Sequence, residues 1–312
     1  MLDVQQSSVA LKDLPGPVGF VGGGKVGTAL AGLLHQHGIS VAGVSGRTVE
    51  AGRRMALEAG LDARTAGDLT STVSRSAIVF LTVPDDAIEP LCLEIAALGA
   101  WHPGQGVVHC SGALPSAILA SASKAGALVA SFHPLQAFAS LQAAVQHIPG
   151  STFGLEGDDA LVSQLTLLVR LLRGTALRLT PGEKEVYHAS AVIASNYMVS
   201  LAQIASDLLV RSGIAPSRDD ALRYLMPLIR GTVDNLDTLG LPTALTGPVS
   251  RGDVGTVARH LEALGKWPEP AHMYRHLARM TLPLAAEKDG GTHVGRLEAL
   301  RALLERSDQE EE

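Results

Sequence analysis

Cysteine is scarce in this chain, and its scarcity limits how the fold can be held together. Only Cys92 and Cys110 occur among the 312 residues. Two cysteines cannot build the disulfide framework on which many small secreted domains depend. We therefore expect the protein in a reducing compartment, the cytoplasm.

Long uninterrupted apolar runs are also missing from the sequence. A membrane helix needs about 18 or more uninterrupted apolar residues. The nearest stretch, residues 189–210, is interrupted by Ser195, Asn196, Gln203 and Asp207. It predicts a helix buried in protein rather than a membrane span. Residues 1–17 lack a basic start followed by an apolar block, so no secretory signal is expected.

Clustered positive charge is a third absence. Lys and Arg number 25 against 31 Asp and Glu, and the formal net charge is −6. Because a nucleic-acid-binding face needs concentrated Lys and Arg, such a partner is not expected. The chain is instead 46% hydrophobic and 18% charged, over a length sufficient for two ordinary domains. This composition predicts a globular protein with a large core.

A triple glycine between an apolar run and an amphipathic segment is the most informative motif. Residues 18–30 read VGFVGGGKVGTAL, in which Gly22, Gly24 and Gly27 fit the pattern G-x-G-x-x-G. These glycines allow a tight turn, a close approach of pyrophosphate to the backbone, and close packing of helix on strand. The helix begins around Lys25 and Val26 and offers unpaired N–H groups to phosphates. The motif predicts a dinucleotide site rather than an ordinary glycine-rich turn.

The residues after the second predicted strand indicate which dinucleotide binds. An NAD site usually has an acid there, which holds the ribose 2′-hydroxyl. This chain has Ser45, Arg47 and Thr48 instead. Because a 2′-phosphate needs cationic, bidentate donors, these residues favour NADP over NAD. The alternative is that Arg47 only caps a surface loop.

The order of predicted elements divides the chain. Apolar runs typical of strands alternate with helical segments up to about residue 180, which predicts a doubly wound α/β sheet, a Rossmann domain. From Pro181 onwards only helical periodicity is present. The expected domains are residues 15–180 and an all-helical part, residues 181–307, before an acidic tail. Predicted helices of the second domain are 182–212, 216–239, 253–264, 270–288 and 294–305.

The carboxyl ends of the predicted strands should border the ligand, as in other open α/β sheets. Val83, Pro84 and Ser111 are therefore expected beside the cofactor. Asp85 and Asp86 follow the same strand end, and we expect either of them to cap the next helix rather than to act as acid or base.

Several histidines are candidate ligands of a metal or substrate. His133 ends a predicted strand, where it is either a substrate contact or a structurally hydrogen-bonded side chain. His109 and Cys110 point to opposite faces of one strand, which argues against a shared metal. His272 and His276 are four residues apart on a helix, but a third ligand is not evident. No metal is expected.

Polar residues line one face of the first helix of the second domain. Lys184, His188 and Ser195 share this face, and Asn196 lies beside them. Buried polar groups need partners, so these residues either satisfy one another or face a cleft. We favour the cleft, although Lys184 alone fits the solvated first turn of a helix.

A glycine- and proline-containing loop supplies the last candidate. Gly247, Pro248 and Gly252 should fix its shape, and Asp253 can cap the helix that follows. Arg251 within this loop either clamps a substrate carboxylate bidentately or forms an interhelix salt bridge.

Together these segments resemble a predicted-oxidoreductase family that joins a Rossmann-like domain to a C-terminal domain of unknown function. It lies within the 6-phosphogluconate dehydrogenase C-terminal-like superfamily, with ketopantoate reductase, 3-hydroxyacid dehydrogenase and pyrroline-5-carboxylate reductase. The similarity extends over nearly the whole chain from Val18. It is carried by residues 81–85 (LTVPD), 109–112 (HCSG), 133–138 (HPLQAF), 187–189 (YHA), 194–197 (ASNY) and 246–248 (TGP).

The resemblance implies site roles. In the hydroxyacid and ketopantoate branches, Lys-x-x-x-Asn supplies the proton donor and an orienting asparagine. Lys184 matches that lysine, but His188 occupies the asparagine position, so either Lys184 or His188 is the acid. Asn196 lies too far along the helix to replace the asparagine. His133, Ser195, Asn196 and Arg251 are the candidate substrate contacts.

The resemblance also implies an activity, an NADP-dependent reduction of a small 2-oxo acid, with ketopantoate as the first candidate. The nicotinamide would lie between the two domains. One alternative is the reduction of a cyclic imine such as pyrroline carboxylate. Another is a sensor or scaffold that binds NADP without turnover. Small residues along 189–205 predict a homodimer through the helical domain.

Overall fold

The computed structural model describes residues 16–306. The expected absence of a secretory signal, the expected domain start at residue 15 and the expected acidic tail therefore lie outside the described residues, as does the predicted domain end at residue 307. Within the described range the chain divides into two compact units after Asn196.

The first unit is built on a seven-stranded sheet. Its strands are β1 (Val18–Val21), β2 (Val41–Ser45), β3 (Ile78–Leu81), β4 (Gly106–His109), β5 (Leu128–Pro134), β6 (Thr152–Gly157) and β7 (Thr175–Arg178), in the order β2-β1-β3-β4-β5-β6-β7. Strands β1 to β5 are parallel, whereas β6 is antiparallel to β5 and β7 is parallel to β6. The antiparallel direction of β6 was not predicted, because the local sequence does not indicate the direction of a strand in the sheet.

Helices connect these strands and cover both faces of the sheet. They are α1 (Lys25–Gln36), α2 (Val49–Glu58), α3 (Leu69–Ser74), α4 (Asp85–Ala97), α5 (Ala120–Lys124), α6 (Leu141–His147), α7 (Asp159–Leu171) and α8 (Lys184–Ala194). Every residue of β1, β3 and β4 is buried, as expected for parallel strands covered on two sides. Two separate apolar clusters form the core, one on each face.

The chain order creates a crevice at the carboxyl ends of β1 and β3. From β1 the chain crosses to β2 on one side and then returns to β3 on the other side. Such a switch in direction opens a space between the two connections, and ligands of doubly wound sheets bind there. Val21 and Leu81 end the two strands at this point and pair in register.

The second unit is helical in its described part, residues 197–306. Its helices are α9 (Asn196–Arg211), α10 (Arg218–Leu239), α11 (Gly247–Ser250), α12 (Val254–Leu264), α13 (Pro268–Asp289) and α14 (Val294–Arg306). Its apolar core is formed by α12, α13 and α14, around residues such as Val257, Leu282 and Leu300. The predicted fold class, a Rossmann sheet followed by a helical domain, is confirmed.

The long helix predicted over residues 182–212 is two helices, α8 and α9. Only Ser195 separates them, with φ −115° and ψ −64°, while its N–H still donates to Ala191 O at 3.0 Å. Helical periodicity continues through this position, so the sequence pattern does not reveal the break. By its contacts α8 belongs to the first unit, so the compact units divide later than the boundary expected at Pro181.

The expectation that residues 189–210 are buried in protein is wrong for the single chain. Only 6% of the most apolar window within Lys184–Arg211 is buried. Val199 is 70% exposed and Tyr197 is 55% exposed. This segment is the one helical stretch in residues 16–306 that is long and apolar enough to cross a membrane.

Candidate active site

The glycine turn between β1 and α1 has the geometry that its sequence predicts. Gly22 has φ +111°, a left-handed conformation that favours glycine, and a Cβ there would lie 2.7 Å from Val83 Cγ1. A Cβ on Gly27 would lie 2.1 Å from Thr82 Oγ1, so this glycine lets α1 pack on the end of β3. At Gly24 a Cβ would meet only Thr82 O, at 3.4 Å. Protein packing therefore does not explain Gly24, which instead leaves room for a ligand.

The N-terminus of α1 fits an anion. Gly24 is its N-cap, no side chain caps the helix, and its first turn contains no acid. The unpaired N–H groups and the positive end of the helix dipole are therefore available to phosphate. The Lys25 ammonium donates to Ala139 O at 2.8 Å, which ties the start of α1 to the loop after β5. The first turn of α1 also contains Val26.

The residues that follow β2 only partly match their expected roles. Arg47 is exposed beyond the end of the strand, where a cation can meet a phosphate. Ser45 is buried at the end of β2, and its carbonyl accepts from Gly22 N at 2.9 Å. Thr48 caps α2, because its hydroxyl accepts from Ala51 N at 3.1 Å. Arg47 is therefore the cationic member of this group.

The expectation that an aspartate caps the helix after β3 is wrong. Pro84 is the N-cap of α4, without a side-chain hydrogen bond, and both aspartates lie in the first helical turn. Asp85 Oδ2 instead accepts from Ser111 Oγ at 2.8 Å. Ser111 Oγ also accepts from the N–H groups of Ala113 and Leu114, so it fixes the turn after β4. Asp85 thus connects two neighbouring strand ends.

Lys184 is 1% exposed and is not the solvated residue that its position in a first helical turn also allows. Its Nζ donates to Ser111 O at 2.7 Å and to Ser131 Oγ. Burial lowers the pKa of Lys184 to about 8, although the charges of Glu156 and Asp85 oppose this shift. The Glu156 carboxylate is itself buried, and it accepts from the N–H and the hydroxyl of Ser116 at 2.6 and 2.8 Å.

Two histidines at strand ends lie in the electrostatic field of this lysine. His109 is fully buried, accepts from Ser111 N at 3.1 Å, and lies 3.3 Å from Pro115 O through Nε2. Burial, followed by the Lys184 charge, lowers the pKa of His109 to about 3 and that of His133 to about 4. We call His109, Ser111, Ser131, His133 and Lys184 the strand-end cluster.

Helix α8 brings two further rings onto this cluster. Tyr187 Oη lies 2.8 Å from His133 Nδ1. The rings of His133 and His188 have centroids 6.1 Å apart. The structure therefore brings His133, predicted separately at a strand end, together with Lys184 and His188 of the predicted helix face, at the carboxyl ends of β4 and β5. Ser195 and Asn196 follow α8 and are exposed.

Arg251 belongs to the second unit, where it is exposed at the end of α11. Gly247 and Gly252 have positive φ, and Asp253 caps α12 by accepting from Thr256 N at 3.0 Å. The predicted fixed loop and helix cap are thus both present.

Metal binding finds no support in residues 16–306. These residues contain no group of three or more His, Cys, Asp or Glu side chains that could hold an ion. Cys92 and Cys110 are both free.

Sequence reasoning missed four contributors to the site. Ser131 accepts from Lys184, Asp85 accepts from Ser111, and the charge of Glu156 acts on Lys184, each from a distant part of the chain. Tyr187 entered only as part of a family motif. A lone acid in the apolar strand β6 was the available signal for Glu156.

These observations define a class of protein, a dinucleotide-binding fold with a polar cluster at its strand ends and a helical second unit. Residues 2–134 match the model of the Rossmann-like domain, and residues 151–281 match the model described as "Domain of unknown function (DUF2520)". The chain carries both domains, as the resemblance in its sequence implied.

Solved structures share this architecture. Protein TM1727 from Thermotoga maritima is 25% identical over 87% of this chain and 99% of that one, with a TM-score of 0.67. A protein from Bacteroides fragilis, provisionally assigned as an NADP oxidoreductase, is 22% identical over 86% and 98%, with a TM-score of 0.62. Pyrroline carboxylate reductase from Plasmodium falciparum, with NADP bound, is 15% identical over 87% and 96%, with a TM-score of 0.55. No curated protein matches the chain by sequence.

Proposed function

We propose that this protein is an NADP-dependent oxidoreductase that reduces a small carbonyl or imine substrate. The observation that carries the proposal is the combination of an uncapped helix N-terminus after Gly24 with a buried lysine and histidines at the neighbouring strand ends. The first feature suits a dinucleotide, and the second suits proton transfer. Two of the similar structures also have NADP in their descriptions.

The residues present fit the cofactor. Gly22, Gly24 and the first turn of α1 would hold the pyrophosphate through backbone N–H groups, and Arg47 would bind the 2′-phosphate. Val83, Pro84 and Ser111 border the same edge of the sheet. When bound, the nicotinamide supplies a hydride to the substrate carbon. Lys184 or His188 supplies the proton, and Ser195, Asn196 and Arg251 remain candidates for substrate contact.

Two substrate classes are proposed. A 2-oxo acid of the ketopantoate type follows from the family resemblance of the Lys184 helix. A cyclic imine such as pyrroline carboxylate gains support from the likeness to a pyrroline carboxylate reductase. Both reactions need a hydride acceptor carbon and a proton donor at the heteroatom, so the strand-end cluster suits either.

The first test is oxidation of NADPH, followed by its absorbance, with ketopantoate, other 2-oxo acids, 3-oxo acids and pyrroline carboxylate. NADH is assayed in parallel. Turnover of one substrate with a preference for NADPH is expected. Tight NADPH binding without turnover would favour the alternative of a sensor or scaffold, and binding of neither nucleotide would contradict the cofactor assignment.

Arg47→Ala tests the 2′-phosphate contact. We expect the dissociation constant for NADPH to rise by roughly tenfold or more, because a charged hydrogen bond to phosphate contributes about 1.5–3 kcal/mol. The dissociation constant for NADH should change little. Arg170→Ala, an exposed arginine in the last turn of α7, is the matched control and should leave both constants unchanged.

We also propose that two copies of the chain associate through the helical unit. In α9 and α10 the buried residues are only Ser206 and Ala221, while many apolar side chains are exposed. Exposed apolar patches of this kind mark association surfaces. Small residues of α9 such as Ala202 and Ala205 would allow close helix contact.

A further inference from the structure

Asp85 presents an exposed carboxylate at the carboxyl ends of β3 and β4. Its Oδ2 accepts from Ser111 Oγ at 2.8 Å. Ser111 Oγ is itself held by the N–H groups of Ala113 and Leu114, at 3.2 and 3.1 Å, so the carboxylate has a defined position. Within residues 16–306 its other oxygen, Oδ1, makes no hydrogen bond and is available to a ligand.

A short segment of chain connects this carboxylate to the glycine turn. Val83 packs against the turn, where a Cβ on Gly22 would lie 2.7 Å from Val83 Cγ1. Pro84 is exposed and directly precedes Asp85. The segment from Val83 to Asp85 therefore borders the crevice from the glycine turn after β1 to the end of β4.

The strand order indicates which half of a dinucleotide lies beside Asp85. A dinucleotide lies across the crevice of a doubly wound sheet, with its pyrophosphate at the N-terminus of the first helix. Arg47, the proposed contact of the 2′-phosphate, follows β2 on one side of β1. The nicotinamide half then extends to the other side of β1, over the ends of β3 and β4, where Asp85 lies.

The first turns of α1 and α4 differ in charge. The first turn of α1 contains no acid, whereas that of α4 contains Asp85 and Asp86. A helix N-terminus without acids suits phosphate, while carboxylates at the neighbouring N-terminus repel anions and attract a cation. An oxidised dinucleotide carries negative charge on its phosphates and positive charge on its nicotinamide ring. The two helix ends therefore match its charge distribution.

The charge of Lys184 opposes a positive charge at this end of the sheet. Its ammonium is buried, donates to Ser111 O at 2.7 Å and interacts with the charge of Asp85. Glu156 also acts on Lys184, but its carboxylate is buried and both of its oxygens accept from Ser116. Asp85, in contrast, is exposed, so its charge can offset the lysine and also meet a ligand.

We propose that Asp85 sets the redox preference of the cofactor site, by favouring the positively charged nicotinamide of NADP⁺ over the uncharged ring of NADPH. This inference rests on the proposed function and deepens it. Two electrons leave the cofactor with the hydride, so the substrate carbon is reduced and the oxidised ring keeps a positive charge. A carboxylate beside that ring stabilises the oxidised form. The bound cofactor is thereby a stronger hydride donor.

Binding of the two cofactor forms tests this role without turnover. The dissociation constants of NADP⁺ and NADPH are measured by calorimetry for the full-length wild type and for Asp85→Asn at one ionic strength. Asparagine keeps an oxygen that can accept from Ser111 Oγ, but it removes the charge. We expect Asp85→Asn to weaken NADP⁺ relative to NADPH by roughly three- to tenfold, the size of one charge interaction that water partly screens. Asp85→Glu retains the charge and should retain most of the preference.

Asp86→Asn is the matched control, because it removes the same charge from the same helical turn. Its side chain projects about 100° further round the helix axis, so this variant should change the ratio of the two constants less than Asp85→Asn does. An unchanged ratio in Asp85→Asn, or an equal change in both variants, would overturn the role of Asp85 and leave the cofactor assignment intact. Binding of neither nucleotide to the wild type would instead contradict the proposed function, and this inference with it.

Discussion

At the scale of single residues, the buried ammonium of Lys184 organises the strand-end cluster. It joins the carbonyl of Ser111 to the hydroxyl of Ser131, and so links the ends of β4 and β5 to α8. A buried charge is tolerated only when its hydrogen-bonding capacity is used, and here two donors have partners. The position that resembles a catalytic lysine therefore also forms a structural connection in this chain.

His109 gives a prediction on pH and stability. Its pKa is lowered to about 3 in the folded protein, below the ordinary value of 6.5. The unfolded state therefore binds more protons between these values, and stability falls as the pH drops from about 6.5 towards 3. The slope of the unfolding free energy against pH in this window is proportional to the number of protons taken up on unfolding. His109→Asn should reduce that number by up to about one. Urea unfolding across the pH range measures it.

The control for this variant is His102→Asn, because His102 is an exposed histidine in the same unit. It should leave the slope unchanged. His109→Asn should also destabilise the first unit at neutral pH by about 1–3 kcal/mol, since Ser111 N loses its acceptor. An identical pH slope in His109→Asn and the wild type would show that protonation of the His109 ring does not cause the pH dependence of stability.

At the scale of elements, the turn between β1 and α1 depends on the contact of α1 with the end of β3. Thr82 Oγ1 donates to Gly22 O at 2.7 Å, so the residue after β3 holds the glycine turn. Gly27 faces the same hydroxyl. Packing within the protein thus requires glycine at positions 22 and 27. Only at Gly24 is the need for a glycine explained by a bound ligand.

Gly27→Ala tests this packing. The new methyl group would lie 2.1 Å from Thr82 Oγ1, so α1 must move or Thr82 must rotate and lose its hydrogen bond. Overpacking of this kind costs typically about 1–3 kcal/mol, which thermal or urea unfolding would detect. Gly23→Ala, in the same loop, has its nearest contact at 3.6 Å and is the matched control. Equal stability of the two variants would refute the contact.

At the scale of the whole molecule, the exposed apolar residues of α9 and α10 lead to a prediction about assembly. Two copies of the 32.4 kDa chain are expected in solution, measured as a doubled mass by sedimentation at micromolar concentration. Val199→Glu should give a monomer, because it places a charge at a 70% exposed apolar position of α9. Leu57→Glu, at a 63% exposed apolar position of α2, is the control and should remain dimeric.

A wild-type chain of monomer mass would contradict this assembly. Binding of the monomer to lipid vesicles would then assign the apolar segment Lys184–Arg211 to a membrane surface instead of a second copy. Loss of the dimer in both Val199→Glu and Leu57→Glu would show that the added charge prevents association wherever it is placed, and would not support an interface on α9.

The sequence by itself determined the elements, because their signals are local. Glycine spacing, apolar strands and helical periodicity predicted the glycine turn, the alternation up to β7 and the helical second part, and the structure has all three. The break between α8 and α9 at Ser195 was not predicted, because one distorted residue does not disturb the helical periodicity on either side.

Only the tertiary structure decided the site. The partner of Asp85, the burial of Lys184 and the Tyr187–His133 pair each depend on residues far apart in the chain. The local sequence pattern shows which residue types each element carries. It does not show which side chains come into contact when strands and helices pack. The sequence therefore supplied the candidates Lys184, His188 and His133, and the packing of α8 on the strand ends brought them together.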